Sequence, residues 1–382
     1  MLQDKVIQIF QGIFETSPTF VVRAPGRANI IGEHTDYNDG FVLPMTIDRA
    51  VWIALKPRLD RNVMVHSIDF NQMIEFNLEE LRNTKSGWAE YIKGITWALQ
   101  TEGHMLYGWE GVIGGDVPIG GGLSSSAALE MATCRAYKAL NNEEWNAAEM
   151  AKLGQLTENQ WIGQKTGIMD QMISAAGKKD HAMLLDCRSL EIKMVSLPPG
   201  SIIVVMDSAT RRELVDSAYN ERRSQCQSAA NYFGVKALRD INLTQLEQKE
   251  NQINPITYRR ARHVITENAR TLEAFEAMNS GNSAKMGELM MESHVSMRDD
   301  FEISRRELDI MVEIALKQSG CFGARMTGGG FGGCAIALIR DDVIDSFTEN
   351  VFNSYRTKTG LTPALYVCRA TNGAEIVVDN SA

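Results

Sequence analysis

Residues 321–339 read CFGARMTGGGFGGCAIALI, and the fold class turns on how this stretch is parsed. Gly328, Gly330 and Gly333 satisfy the spacing G-x-G-x-x-G. In a dinucleotide-binding fold those glycines end a strand and open a helix whose N-terminus receives the pyrophosphate. Here CAIALI follows, a short apolar run with the character of a strand. The stretch is therefore strand, glycine turn, strand, and dinucleotide binding is rejected. A glycine hairpin that closes over phosphates stays open.

Outward from this hairpin, helical and strand patterns alternate with no regular βαβ rhythm, which gives an α+β fold with two domains. Val6, Ile9, Phe10, Ile13 and Phe14 mark an amphipathic first helix rather than a secretory leader. TFVVRAPG reads as a strand ending in a Pro-Gly turn, and AVWIALKPR and NVMVHSID as further strands. WAEYIKGITWALQTEG is helical and ends in glycine; WEGVIGGDVPIGGG is a strand and a loop. HAMLLDCRS and SIIVVMDS are short buried strands on either side of Pro198 and Pro199, which sets the boundary between domains 1–197 and 198–382. Long helices fill 218–279, and Met286, Leu289, Met290 and Met297 mark the buried face of the next one. ALYVCRATNGAEIVV supplies one or two closing strands.

With 382 residues, 44% hydrophobic and 23% charged, the chain has ample length and the ordinary composition of a globular protein. A net charge of −9 argues against a polyanionic partner such as nucleic acid or an acidic membrane surface. The densest basic run, YRRARH at 258–263, reads as a solvated helix face. Six dispersed cysteines form no CxxC pair, so free thiols in a reducing cytosol are expected. No apolar run is long enough to span a bilayer.

Two further stretches carry chemistry. IGGGLSSSAALEMA, residues 119–132, places three glycines and three serines directly before a helix. A linker and an anion cradle both fit such a run, and the helix after it favours the cradle, because its free N–H groups and dipole attract phosphate. No Gly-Lys-Ser/Thr follows, so this is not a P-loop, and Ser126 at the helix start is placed to reach Mg²⁺. RAPGRANIIGEHTDYNDG, residues 23–40, gathers Arg27, Glu33, His34, Asp36 and Asp39 between apolar flanks. A polar surface loop is one reading. A polyol site is the other, since carboxylates accept from neighbouring hydroxyls while His and Arg donate. Asp170 sits in the apolar GIMDQ, as a helix cap or a functional carboxylate.

Together PGRANIIGEHTDYNDGFVLP, GGGLSSSAAL and MTGGGFGGC, in this order, resemble the GHMP small-molecule kinases. EHTDY is specific to the galactokinase branch, and GIMDQ, KKDHAMLLDCRSL and MESHVSMRDDFEIS are similar to its bacterial members. The resemblance implies a mixed-sheet N-terminal domain, a ferredoxin-like C-terminal domain and an active site between them, with the last strand free to return to the first domain. It implies phosphoryl transfer from ATP to the anomeric hydroxyl of galactose, the first committed step of galactose use. Gly120, Gly121, Gly122, Leu123, Ser124, Ser125 and Ser126 match the cradle for the ATP phosphates, and Trp88 and Tyr91 match positions bordering the adenine. Ser126 and Glu158 match the Mg²⁺ contacts. Glu33, His34, Asp36, Gly167 and Tyr219 match the sugar contacts, Asp170 the base and Arg27 the cation beside it. A cytoplasmic monomer is expected. Another sugar substrate, such as N-acetylgalactosamine, and a non-catalytic galactose sensor are the alternatives. The complete LSSSAAL and the presence of Asp170 weigh against the sensor.

Overall fold

The computed structural model describes residues 1–210 and 215–381. The chain begins with α1 (Leu2–Phe14), β1 (Phe20–Ile31), β2 (Phe41–Pro57), β3 (Asn62–Ser67), β4 (Gln72–Asn77), α2 (Ala89–Thr101) and β5 (Trp109–Gly115). Next come α3 (Ser125–Leu140), α4 (Ala147–Leu156), α5 (Met169–Ala176), β6 (His181–Asp186), β7 (Ile192–Ser196) and β8 (Ser201–Asp207). It continues through α6 (Val215–Phe233), α7 (Leu243–Glu247), α8 (Pro255–Asn279), α9 (Ser283–Asp299) and α10 (Arg306–Leu316). The last elements are β9 (Cys321–Thr327), β10 (Cys334–Arg340), α11 (Ile344–Thr359), β11 (Ala364–Cys368) and β12 (Glu375–Asp379).

Two sheets form. The larger runs β12-β1-β2-β5-β3-β4, with β6 pairing β2 and β7. It is mixed, because β3 and β5 are parallel while β1 and β2 are antiparallel. The smaller sheet, β11-β8-β10-β9, is antiparallel throughout. Its connectivity is β8–helices–β9–β10–α11–β11, the split βαβ order of a ferredoxin-like unit. Residues 321–339 are the β9–β10 hairpin, with Thr327 paired to Cys334. The chain's end returns to the first sheet, where β12 pairs with β1.

The small sheet is buried on both faces, which explains the unbroken apolar run of β8. Ile203 and Val205 join the core shared with the larger sheet and with Leu289 and Met290 of α9. Ile202, Val204 and Met206 point the other way, into a core with α10 and α11. Met286, Met290 and Met297 of α9 are core, as their spacing implies.

Two local expectations change, and Ser124 takes an unusual place. β1 does not turn at Pro25-Gly26; it runs on to Ile31 with a register shift between Pro25 and Arg27. A bulge accommodates a proline, which cannot donate to the ladder. Gly26 is glycine because its neighbours are close: a Cβ there would lie 2.8 Å from the Leu123 carbonyl oxygen and from the Val117 side chain. Ser124 precedes α3 with φ 57° and makes no side-chain cap; its hydroxyl is used elsewhere. The basic run 258–263 is not a solvated face throughout, because Arg260 and His263 are buried on the inner side of α8. That placement splits the charges and leaves no contiguous basic patch.

Candidate active site

The glycine-serine stretch and the GEHTDY stretch meet at one arginine. Arg27 lies in β1, where its amide donates to the Leu123 carbonyl at 3.1 Å. Its guanidinium donates from one terminal nitrogen to the Gly122 carbonyl at 2.5 Å. The remaining fork faces Asp170, on the first turn of α5: Nε lies 2.7 Å from Oδ1, and the second terminal nitrogen bonds Oδ2. Planar, five-donor geometry suits Arg to this bidentate task in a way Lys cannot match. The Ser124 hydroxyl also donates to Asp170 Oδ2, which is why it does not cap α3.

A cleft of about 610 Å³ opens over this pair. That volume is typical of a small-molecule site. Ile119, Gly120, Gly122 and Ser124 form one wall, continued by Ser125 and Ser126 at the N-terminus of α3, where helix amides have no partner within the helix. Gly328 and Gly329 of the β9–β10 hairpin line another part, so this hairpin does lie against the cleft.

Glu158 stands on a π-helical turn, Thr157–Ile162, that continues α4. Such turns are uncommon and concentrate at functional sites. Its carboxylate accepts from the Ser126 hydroxyl at 3.2 Å and from Thr166. Burial, and then the charge of Asp170, push the Glu158 carboxyl above the usual range, against the hydrogen bonds it accepts. Among the described residues no group of three or more His, Cys, Asp or Glu side chains is arranged to hold a metal ion.

Asp36, in a short 3₁₀ turn, faces the same space. Its Oδ1 accepts from the Tyr37 amide at 2.9 Å. Burial first, and the nearby charge of Asp170 second, push its carboxyl up to about 7. Gly167 passes directly behind this carboxylate, where a Cβ would overlap it. Glu33 is 2% exposed and heavily engaged: Gly328 donates from its amide at 2.5 Å, Thr327 from its hydroxyl at 3.2 Å, and Asn29 also donates. It thus ties the loop after β1 to the glycine hairpin. His34 packs against Tyr219 with ring centroids 5.1 Å apart. Its Nε2 donates to the Gly329 carbonyl at 3.3 Å and its Nδ1 lies 2.7 Å from the Tyr37 hydroxyl.

This arrangement can be set beside known proteins. Residues 8–57 match the galactokinase galactose-binding signature, 90–178 the GHMP kinases N-terminal domain and 273–356 the GHMP kinases C-terminal domain. A galactokinase of Roseiflexus sp. (strain RS-1) is 44% identical over 377 residues, which is 97% of this chain and 96% of that one. The chain belongs to the galactokinase family. Among solved structures, Lactococcus lactis galactokinase complexed with galactose superposes with a TM-score of 0.94 at 36% identity, covering 98% of this chain and 100% of that one. The mevalonate kinase of Methanococcus jannaschii, at 20% identity over 93% of this chain and 99% of its own, shares the fold with a TM-score of 0.66.

Most residues singled out in the sequence as galactokinase-like come together here. Arg27, Glu33, His34, Asp36, Trp88, Tyr91, Gly120, Gly122, Ser124, Ser125, Ser126, Glu158, Gly167, Asp170 and Tyr219 all line the cleft. Gly121 and Leu123 do not. The Gly121 carbonyl accepts from the Cys334 thiol at 2.8 Å, and Leu123 is fully buried, so these two anchor the loop from behind. Sequence reasoning missed Phe70, whose ring stacks parallel to Trp88 at 5.9 Å, together with Asp69, Lys165 and Thr166. Phe70 lies in a turn between β3 and β4 that carries no motif, and only its exposure, 49%, marks it.

Gly167→Ala should push Asp36 out of place and weaken sugar binding by about 10- to 100-fold, the worth of hydrogen bonds to a charged group. Nucleotide binding should stay within about threefold of the parent. Calorimetric titration of each ligand checks this, with a thermal melt to establish folding.

Proposed function

We propose that the chain transfers the γ-phosphoryl group of ATP to the anomeric hydroxyl of galactose, giving galactose 1-phosphate and ADP. The observation that carries this reading is the Arg27–Asp170 pair, which places a carboxylate between the phosphate-type loop and the Asp36 loop. The Roseiflexus relative and the galactose-bound Lactococcus structure support the choice of sugar.

Phosphoryl transfer of this kind depends mostly on positioning and on electrostatic stabilisation. In this reading the amides of 120–126 and the N-terminus of α3 cradle the ATP phosphates, with Phe70, Trp88 and Tyr91 bordering the base. Residues 1–197 present both loops, and 198–382 supply the glycine hairpin and Tyr219 that close over them. A carboxylate has about four acceptor sites. Arg27 and Ser124 occupy three of those on Asp170, which leaves one on Oδ1 for the sugar hydroxyl. Asp170 therefore orients the attacking hydroxyl and takes its proton late in the displacement. Asp36, Glu33, His34 and Tyr219 surround the remaining sugar hydroxyls, with Gly167 keeping room for Asp36.

Ser126 and Glu158 fit Mg²⁺, an ion that takes one or two carboxylates and completes its shell with water and substrate phosphates. The Ser126 and Glu158 oxygens are 3.2 Å apart on facing elements, and burial raises the Glu158 carboxyl in a way that a nearby cation relieves. When bound, Mg²⁺ disperses the charge of the phosphates. The reading places the enzyme in the cytoplasm as a monomer; among the described residues no helix is long and apolar enough to cross a membrane.

The direct test is ADP release from Mg-ATP with galactose, glucose, N-acetylgalactosamine and arabinose offered separately. Galactose alone should support turnover, and Asp170→Asn should cut kcat by roughly 10²- to 10⁴-fold, the usual range for a base, with ATP affinity kept. Turnover mainly with another sugar would overturn the substrate, and galactose binding without ADP release would favour a sensor. A second expectation concerns pH. The Asp36 carboxyl, at about 7, accepts sugar hydroxyls at full strength only when ionised; once protonated it keeps a weaker acceptor and becomes a donor. Galactose KM should therefore rise as pH falls through 7, by at most about tenfold per pH unit on the acid side. Asp36→Asn should flatten that rise, as measured by galactose KM between pH 6 and 8.5.

A further inference from the structure

The loop that presents Glu33, His34 and Asp36 is held from behind by helix α8, on the other side of the chain's midpoint. Glu267 is fully buried there. Its Oε1 accepts from the amides of Gly32 at 3.0 Å and Glu33 at 3.2 Å, and from the Ser293 hydroxyl at 2.7 Å. Arg270 donates to its Oε2 at 2.9 Å. One turn earlier, the His263 Nε2 donates to the Glu33 carbonyl at 3.1 Å. One residue later, the Asn268 Oδ1 accepts from the Phe41 amide at 2.8 Å. The residues at 263, 267 and 268 therefore grip both ends of the segment 33–41 by its backbone, while its Glu33, His34 and Asp36 side chains line the cleft.

This grip is specific in its chemistry. Two consecutive amides that converge on one oxygen demand an acceptor with several lone pairs, and a carboxylate is the side chain best able to supply them. Burial alone would raise the Glu267 carboxyl, but Arg270, His263, Arg325 and Ser293 outweigh it and hold it at about 2. The charge is thus present at any working pH. Glu267 touches none of the cleft and is not among its lining residues.

We infer that Glu267, flanked by His263 and Asn268, is the positioning residue of the sugar loop, setting sugar affinity from the second half of the chain through the Gly32 and Glu33 amides. The inference rests on the galactokinase reading of the cleft. It acts through the backbone, so its mark is a change in the sugar parameters that spares the nucleotide's. It also accounts for the charged inner face of α8, which the cleft itself does not use.

The experiment compares the full-length protein with Glu267→Gln and Ser293→Ala. Glu267→Gln keeps an acceptor oxygen of the same reach and removes the charge; Ser293→Ala removes one donor from the cluster. Steady-state KM for galactose and for Mg-ATP, kcat, melting temperature, and hydrogen–deuterium exchange of the peptide covering 30–41 are measured on each. Glu267→Gln should raise galactose KM on the order of tenfold, a single charge-assisted hydrogen bond's worth, and speed exchange in 30–41. ATP KM and kcat should move by less than about threefold. Ser293→Ala should shift galactose KM the same way by a smaller factor, and it carries the test if Glu267→Gln does not fold. An unchanged galactose KM and unchanged exchange in folded variants would overturn the inference. So would equal rises in both KM values together with a lowered melting temperature, which mark a general structural role. If the parent protein itself releases no ADP with galactose, the functional reading fails first, and the exchange data alone decide whether Glu267 holds the loop.

Discussion

The fork of Arg27 is the constraint on which the site depends. One side chain reaches a strand, a loop and a helix: its own β1, the Gly122 carbonyl and the Asp170 carboxylate. It is almost fully enclosed, with 6% of the side chain exposed. Its partner Asp170 is 28% exposed to the cleft, so the pair is weak evidence of net stability, because desolvating Arg27 offsets much of the attraction; removing Asp170 would leave the enclosed guanidinium without its carboxylate. The pair therefore fixes geometry more than it adds stability. It determines where the glycine-serine loop ends relative to the Asp170 carboxylate.

The cleft that Arg27 lines also gathers four carboxylates, Glu33, Asp36, Glu158 and Asp170, with Arg325 behind Glu33 at 3.5 Å. Glu33, Asp36 and Glu158 are each pushed upward by burial. Burial disfavours the charged form of these three carboxylates, so ligands that bring donors or a cation are favoured beside them. In the proposed reading, sugar hydroxyls supply donors to the Asp36 side and a cation answers the Glu158 side. Such opposed demands are how a site prefers a polyol with a metal-bound phosphate over an apolar ligand of the same size.

Legibility in the sequence followed the range of the interaction. The β9–β10 hairpin was readable because a glycine run between two apolar stretches is a local signal. So was the double burial of β8, whose SIIVVM run has no polar alternate positions. The glycine at 26 misled, since Pro-Gly ordinarily marks a turn; here the reason for glycine is the approach of Leu123 and Val117, far along the chain. The bond from Ser124 to Asp170 left no local trace either, because only the fold brings Asp170 within its reach. On α8, Arg260, His263 and Glu267 carry the polarity of a surface face. His263 and Glu267 are buried because a backbone loop from the first half needs their hydrogen bonds, and Arg260 because it bonds the Asp300 carbonyl, Gln225 and Glu302; nothing in hydrophobic periodicity reports such demands. Phe70 lay outside every motif for a related reason: stacking on Trp88 is a pairing between two elements, and neither shows it alone.

The central claim is that one carboxylate, held by Arg27, meets the sugar hydroxyl that is phosphorylated. A crystal structure with galactose and a non-hydrolysable ATP analogue tests it most directly. The account predicts the anomeric hydroxyl within hydrogen-bond distance of Asp170 Oδ1, the phosphates on the 120–126 loop, and the Arg27 fork unbroken. A sugar bound with its anomeric carbon turned away from Asp170, or an Arg27 released from Asp170 to bind phosphate, would contradict it.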